Sequence, residues 1–172
     1  MKKSKKSLNL LWSLTTIAGA VVSFIMLALN WVGRKITISG NSDTTNYKLS
    51  EWFDLLKEMN KDSSDIEGLA GWNVGKVFLI ISIVLLALVA ICALLNLFIK
   101  NKYLALATKI VSVVSLIAVV VFLIAMIAGC SGLSDNYSDD ISFVMGTGSI
   151  CFAIFGIATS ALGFVSGLKA KK

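Results

Sequence analysis

The chain has 172 residues, of which 56% are hydrophobic and only 15% are charged, and its mean hydropathy is +0.83. A water-soluble domain needs more polar residues to cover its surface, so the composition predicts one integral membrane domain over residues 1–172. The formal net charge of +6 does not indicate nucleic-acid binding, because the Lys residues stand in short groups at the ends of apolar runs and form no basic face.

Four apolar segments are long enough to cross a bilayer as helices, which requires about 20 residues each. Three of them carry no charged residue, and the remaining one holds only Lys109, near its start. The first segment is longer than the apolar core of a cleaved signal peptide and lacks a small-residue cleavage site, so it is interpreted as a span. The predicted spans are residues 8–32, 77–99, 103–128 and 143–168.

The charges that flank the spans predict the orientation. The N-terminal tail, the turn between spans two and three and the C-terminal tail all carry Lys and no acidic residue, whereas all ten Asp and Glu residues lie in residues 33–76 and 129–142. Since basic flanks stay on the cytoplasmic side, we expect a multi-pass protein of the cell membrane with both termini cytoplasmic. The expected partners of the lysines are anionic lipid headgroups at the cytoplasmic face.

The first outer segment, residues 33–76, carries secondary-structure signals of its own. Residues 35–39 and 45–49 alternate between polar and apolar side chains, and residues 40–43 have turn composition, which predicts a small β-hairpin. An amphipathic helix is expected to follow, with Ser50 as its N-cap and acidic residues in its first turn.

The apolar face of this outer helix is a candidate recognition surface. At helical spacing, large apolar side chains fall on one side and charged side chains on the other. The alternative, which we favour, is that this face closes the outer end of the helix bundle. The candidate surface comprises Trp52, Phe53, Leu56 and Met59.

The fourth span carries a stripe of small residues that permits close packing against another helix. The segment from Gly163 to Gly167 also matches the GxxxG pattern of helix association in membranes. The helix that packs against this stripe could belong to the same chain or to a second subunit. Within the chain, Ala18–Ala20 of the first span is a candidate. The predicted packing face comprises Gly156, Ser160, Gly163 and Gly167.

The sequence offers little for catalysis, cofactor binding or metal binding. It has no His, and Cys92, Cys130 and Cys151 have neither disulfide nor zinc-site spacing. Two of these cysteines fall in spans and are expected to pack as small apolar residues, while Cys130 is expected to be exposed in the second outer loop. We therefore predict no catalytic, cofactor or metal site and no enzymatic activity.

Two charged features have structural interpretations. Lys109 is expected to extend its ammonium back to the headgroups as an anchor. The acidic residues of the short second outer loop lack the ligand spacing of a calcium loop, and a solvated turn is favoured. These residues are Asp135, Asp139 and Asp140.

The order of span, outer hairpin, outer helix, span, inner turn, span, short outer loop and span is similar to the layout of claudin-type tetraspan proteins. The signature of that family, a Trp followed by Gly-Leu-Trp and two cysteines in the first outer loop, is missing. Here Gly71–Trp72 is an isolated pair, and the loop contains no Cys. The resemblance therefore implies an arrangement of elements and carries no functional residue.

The absence of reactive groups favours a non-enzymatic four-span protein that acts as a scaffold, accessory subunit or contact protein through its first outer segment. Its expected partner is another membrane protein or a second copy of the chain. One alternative is an oligomeric pore or channel, because Gly-rich spans can line pores and an acidic mouth attracts cations. The other is a membrane-protective, immunity-type protein.

Overall fold

The computed structural model describes residues 2–38, 41–62, 66, 68–99, 101–136 and 140–170. Most of these residues are helical, and three short strands form a small sheet. In chain order the elements are α1 (Lys2–Ile25), β1 (Asn30–Ile38), β2 (Asn41–Lys48), α2 (Leu49–Asp62), α3 (Leu69–Phe98), α4 (Lys102–Asn136), β3 (Ile141–Met145) and α5 (Thr147–Ala170), with a 3-10 turn at Met26–Ala28.

Four helical segments are long and apolar enough to cross a membrane. This agrees with the four spans that the sequence predicts, in number and in chain order. The segments are Leu10–Ala28, Leu69–Phe98, Lys102–Asp135 and Thr147–Lys169.

The ends of two spans differ from the prediction for one physical reason. Residues 30–32 belong to β1 and residues 143–145 to β3, although the prediction places them at the ends of spans one and four. Trp31 and Val32 are fully buried, and Phe143 is nearly so. Hydropathy cannot distinguish a side chain that is buried in protein from one that faces lipid.

The predicted hairpin is present as part of a larger, three-stranded sheet of order β2-β1-β3. Both pairings are antiparallel, and Arg34 of the central strand lies opposite Thr45 on one side and Phe143 on the other. The predicted turn is misplaced, because residues 41–43 already belong to β2. The rest of that turn, Gly40, lies outside the described residues.

Contacts along the chain divide it into two compact units, one made of three segments and the other of two. Unit 1 comprises Met1–Phe24, Ile80–Val120 and Ile154–Lys172, and unit 2 comprises Ile25–Leu79 and Val121–Ala153 together with the sheet they contain. Unit 1 is helical and contains parts of α1, α3, α4 and α5. Unit 2 holds β1, β2, β3 and α2 with the remaining turns of the long helices. The prediction of one four-span domain stays a prediction.

Candidate functional site

Three fully buried tryptophans form the core of unit 2. The rings of Trp31 and Trp52 stack with centroids 6.3 Å apart and an interplanar angle of 9°. Trp72 meets Trp52 edge-on at 6.2 Å and meets Phe143 edge-on at 5.4 Å. Stacked and edge-to-face arrangements are the favourable geometries for aromatic pairs. The cluster joins the sheet, α2 and the first turns of α3.

The apolar face of α2 is turned into this core. Trp52 is 0%, Leu56 1% and Met59 8% exposed, while Phe53 is half-buried under the ammonium of Lys76, which lies 4.8 Å from the ring centroid. A partner cannot touch three of the four candidate recognition residues while α2 keeps this position. Their direct role in recognition stays a prediction, as does the alternative that this face closes the outer end of the helix bundle. The burial shows only that the face packs on the core of unit 2.

Helix α2 begins two residues earlier than predicted, since Ser50 as N-cap would make Glu51 the first helical residue. Leu49 is its first residue, so Ser50 lies within the first turn and is not the N-cap. The backbone N–H of Lys48 donates a hydrogen bond of 2.7 Å to Oε2 of Glu51. A carboxylate at this position satisfies an unpaired donor at the helix start and suits the helix dipole.

An open groove with a volume of about 470 Å³ lies between the polar face of α2 and strand β2. Its helix side carries three carboxylates, and its strand side carries hydroxyl and amide groups. With no basic residue in the lining, the groove favours positively charged groups. It is lined by Thr45, Asn46, Tyr47, Glu51, Asp54, Leu55 and Glu58.

Strand β2 forms one edge of the sheet. In the part of the chain that the structure describes, it pairs only with β1, and every residue from Asn41 to Lys48 except Tyr47 is exposed. An edge strand presents backbone N–H and C=O groups that can pair with another chain. This strand contains no Pro, which would otherwise block such pairing.

Side-chain amides tie the end of α2 to the start of α3. Nδ2 of Asn60 donates to Oδ1 of Asn73 at 3.1 Å, and Nδ2 of Asn73 donates back to Oδ1 of Asn60 at 2.9 Å. Asn60 also donates to the carbonyl of Leu56 at 2.7 Å. The paired amides connect the carboxylate-bearing helix to α3.

The start of α3 packs closely on α4 through glycines for which no packing role was predicted. A Cβ atom at Gly71 would lie 2.7 Å from the backbone N of Gly129, and one at Gly75 would lie 3.0 Å from Sδ of Met126. Gly68, just before α3, has a φ angle of +87°, which favours glycine. The signal was present as Gly71-Trp72-Asn73-Val74-Gly75, a second GxxxG match.

The predicted packing face of α5 lies against helices of the same chain within unit 1. Ser160 donates to the carbonyl of Gly156 at 2.8 Å, and its Oγ lies 3.0 Å from Oγ of Ser115 on α4. A Cβ at Gly163 would lie 2.5 Å from Oγ of Ser112, and one at Gly167 would lie 2.8 Å from the carbonyl of Ala105. These contacts support the intramolecular alternative, and the role of the face in helix association stays a prediction.

The first span supplies small and hydroxylated residues to the same unit. Oγ atoms of Ser13 and Ser166 lie 3.0 Å apart, which joins α1 to α5. A Cβ at Gly19 would lie 2.5 Å from Oγ1 of Thr159. Gly19, in the Ala18–Ala20 segment, is thus the small-residue counterpart that the sequence offered within the chain.

The three cysteines are free thiols. Cys92 and Cys151 are half-buried, and Cys130 is only 6% exposed, so the expectation of an exposed Cys130 is wrong. The reason is that α4 continues to Asn136, which places Cys130 on the helix beside the Trp72 indole. The second outer loop starts later than the apolar run suggested.

The described residues contain no group of three or more His, Cys, Asp or Glu side chains that could hold a metal ion. Asp135 and Asp140 are exposed, and Asp139 lies outside the described residues. The candidate site of unit 2 therefore consists of a polar strand edge and an acidic groove beside an aromatic core.

The sequence matches no model of a known protein family and no curated protein.

Proposed function

We propose that the chain is a non-enzymatic membrane contact protein, that is, a scaffold or accessory subunit that binds another membrane protein through unit 2. The observation that carries this proposal is the exposed edge of β2 beside the acidic groove. The proposal places recognition on the polar side of α2, because three of the four candidate residues on its apolar face are buried in the core.

The chemistry of this surface supports protein recognition. Backbone groups along a free strand edge provide affinity for an extended segment, and the flanking side chains provide selectivity. Asp54 and Glu58 line the groove and make no ion pair within the described residues, which leaves them available to a basic partner. The aromatic core and the Asn60–Asn73 pair hold the surface in place without a partner, which lowers the ordering cost of binding.

We further propose that both termini are cytoplasmic and that unit 2 contains the outward-facing connections. The charge distribution supports this orientation, because unit 2 holds all ten acidic residues and six of the sixteen basic ones. The element order, with a helix after an outer sheet, supports a claudin-type layout in the cell membrane. The family signature is missing from the sequence, so no function is carried over with the layout.

The test is affinity purification of the full chain in mild detergent, with variants that change only the groove. Asp54→Asn combined with Glu58→Gln removes two carboxylates without touching the core or the Glu51 cap. The matched control combines Asp135→Asn with Asp140→Asn, which removes two exposed carboxylates outside the groove. We expect the groove variant to lose the bound protein and the control to retain it.

Two results would contradict the proposal. The first is recovery of the wild-type chain without any second protein after chemical cross-linking in cells. The second is equal retention of the partner by the groove variant and its control, which would place the contact elsewhere on the protein.

A further inference from the structure

Unit 1 has an unbalanced charge that its own side chains cannot neutralise. Its three segments contain ten Lys residues and no Asp or Glu. Eight of these lysines lie near the two ends of the chain or at residue 100, just before α4. Lys102 and Lys109 lie on α4, in a segment long and apolar enough to span a membrane, with Lys102 as its first residue and Lys109 seven residues further along. An anionic partner stabilises a cation in such a segment, and unit 1 contains no Asp or Glu that could serve as one.

A small cavity lies beside this lysine at the start of α4. It has a volume of about 150 Å³ and is lined by Lys102, Tyr103, Leu106 and Lys109. Three of these residues follow each other at intervals of four and three along the helix, so they share one face. Seven residues separate the two lysines, which corresponds to about 10 Å along the axis.

The neighbouring groups that the structure places against the two lysines carry no negative charge. The ammonium of Lys102 lies 5.2 Å from the ring centroid of Tyr103. The stem of Lys109 passes over Gly167 of α5, where an added Cβ would lie 2.8 Å from Cγ of the lysine. Packing against glycine restricts the stem and therefore restricts where the ammonium can lie.

The surface that adjoins the cavity is apolar. Leu106 is exposed, and so are Ile110 and Val113 in the next turns of the same helix. A ligand that fits this arrangement has an anionic head for the two ammonium groups and a hydrocarbon tail for the helix surface below them. Charged hydrogen bonds from ammonium to phosphate oxygen are stronger than neutral ones.

We propose that this cavity binds the phosphate of an anionic phospholipid, with Lys102 and Lys109 as the phosphate ligands. An acyl chain of the lipid then lies along the exposed apolar residues of α4. The site is independent of the contact surface on unit 2, so either proposal can fail without the other. It also gives Lys109 a specific partner in place of a general position near headgroups.

Native mass spectrometry of the full chain in a non-ionic detergent tests the site with two lipids of identical acyl chains, phosphatidylglycerol and phosphatidylcholine. We expect the anionic lipid to bind more tightly to the wild type. Lys109→Gln should weaken its binding by about fivefold, the value that follows from ~1 kcal/mol for one cationic side chain near anionic lipid. Lys102→Gln should act in the same direction, and Lys109→Arg should retain the lipid.

Lys169→Gln is the matched control, because Lys169 is an exposed lysine of unit 1 that does not line the cavity. It should change binding by less than about twofold if the interaction is local and not a general effect of net charge. Equal losses in Lys109→Gln and Lys169→Gln would overturn the proposal, as would equal binding of the two lipids by the wild type. If Lys109→Gln does not fold, Lys102→Gln, whose side chain is exposed, decides the question.

Inorganic phosphate distinguishes a lipid from a soluble anion. Added in excess over the lipid, it should not displace phosphatidylglycerol, because it lacks the acyl chains that contact α4. Displacement by inorganic phosphate alone would assign the cavity to a soluble phosphate-bearing ligand and would overturn the lipid assignment.

Discussion

At the scale of single residues, glycines determine how closely α3 approaches α4. The backbone of Gly129 would lie within 3 Å of a Cβ at Gly71, so any side chain there would force the two helix backbones apart. The neighbour of Gly75 is instead the flexible end of Met126. Two glycines of one GxxxG pattern therefore differ in whether a side chain can be accommodated.

Replacing Gly71 with Ala should lower the apparent Tm of the detergent-solubilised protein, because overpacking typically costs about 1–3 kcal/mol and the contact here is backbone. Gly75→Ala should leave Tm unchanged or raise it slightly, since Met126 can move and Ala is favoured over Gly in a helix by about 1 kcal/mol. Thermal unfolding followed by circular dichroism measures both. Equal effects of the two substitutions would refute the backbone-contact argument.

At the scale of elements, α2 is held in place by its buried apolar face and carries its charges outward. Trp52 stacks on Trp31 of β1 and meets Trp72 of α3 edge-on, so one side chain links three elements. Phe53 is half-buried and contacts Trp52 and the ammonium of Lys76. Trp52 therefore contributes more than Phe53 to the packing of this helix on the core of unit 2.

Trp52→Ala should destabilise the protein strongly, since truncating a buried Trp typically costs about 3–5 kcal/mol. Phe53→Ala should cost clearly less, because part of that ring is exposed. Thermal unfolding of the two variants in the same detergent gives the comparison. A recognition role for Trp52 would instead require that Trp52→Ala loses the partner while its Tm stays at the wild-type value.

At the scale of the whole molecule, charge is distributed by segment. The segments of unit 1 carry ten basic and no acidic residues, and those of unit 2 carry six basic and ten acidic ones, which gives formal charges of +10 and −4. A chain with this asymmetry is expected to insert with its basic flanks on the cytoplasmic side. In the proposed orientation, the acidic groove of unit 2 would face the outer side of the membrane, where a partner could reach it.

Cysteine labelling tests the orientation in a variant whose native cysteines are replaced by Ala. A Cys at Thr44, exposed on β2, should react with a membrane-impermeant maleimide on intact cells. A Cys at Lys169, exposed near the end of α5, should react only after the cells are permeabilised. The opposite pattern would invert the proposed topology. The native Cys130 is unsuitable for this test because it is buried.

Much of the architecture could be predicted from the sequence because spans are specified locally. Each span needs a long run of apolar residues whose backbone hydrogen bonds close within the same helix, so no tertiary contact is needed to recognise it. The pairing of β1 with β2 could be anticipated for a similar reason, since a short connection joins strands of alternating pattern. The small residues of α5 also indicated a packing face from their spacing alone.

Tertiary structure decided the features that depend on residues distant in sequence. Strand β3 pairs with β1, although more than a hundred residues separate them in the sequence. By hydropathy alone, the apolar side chains of β3 look like the start of a span. The contact between Phe143 and Trp72 shows that they belong to a protein core. The candidate site changed for the same reason. Amphipathicity located the apolar face of α2, but only the packed core showed that this face is covered and that the exposed edge of β2 and the acidic groove remain available. Apolar pattern determines which residues leave water, and tertiary packing determines whether lipid, the chain itself or a partner covers them.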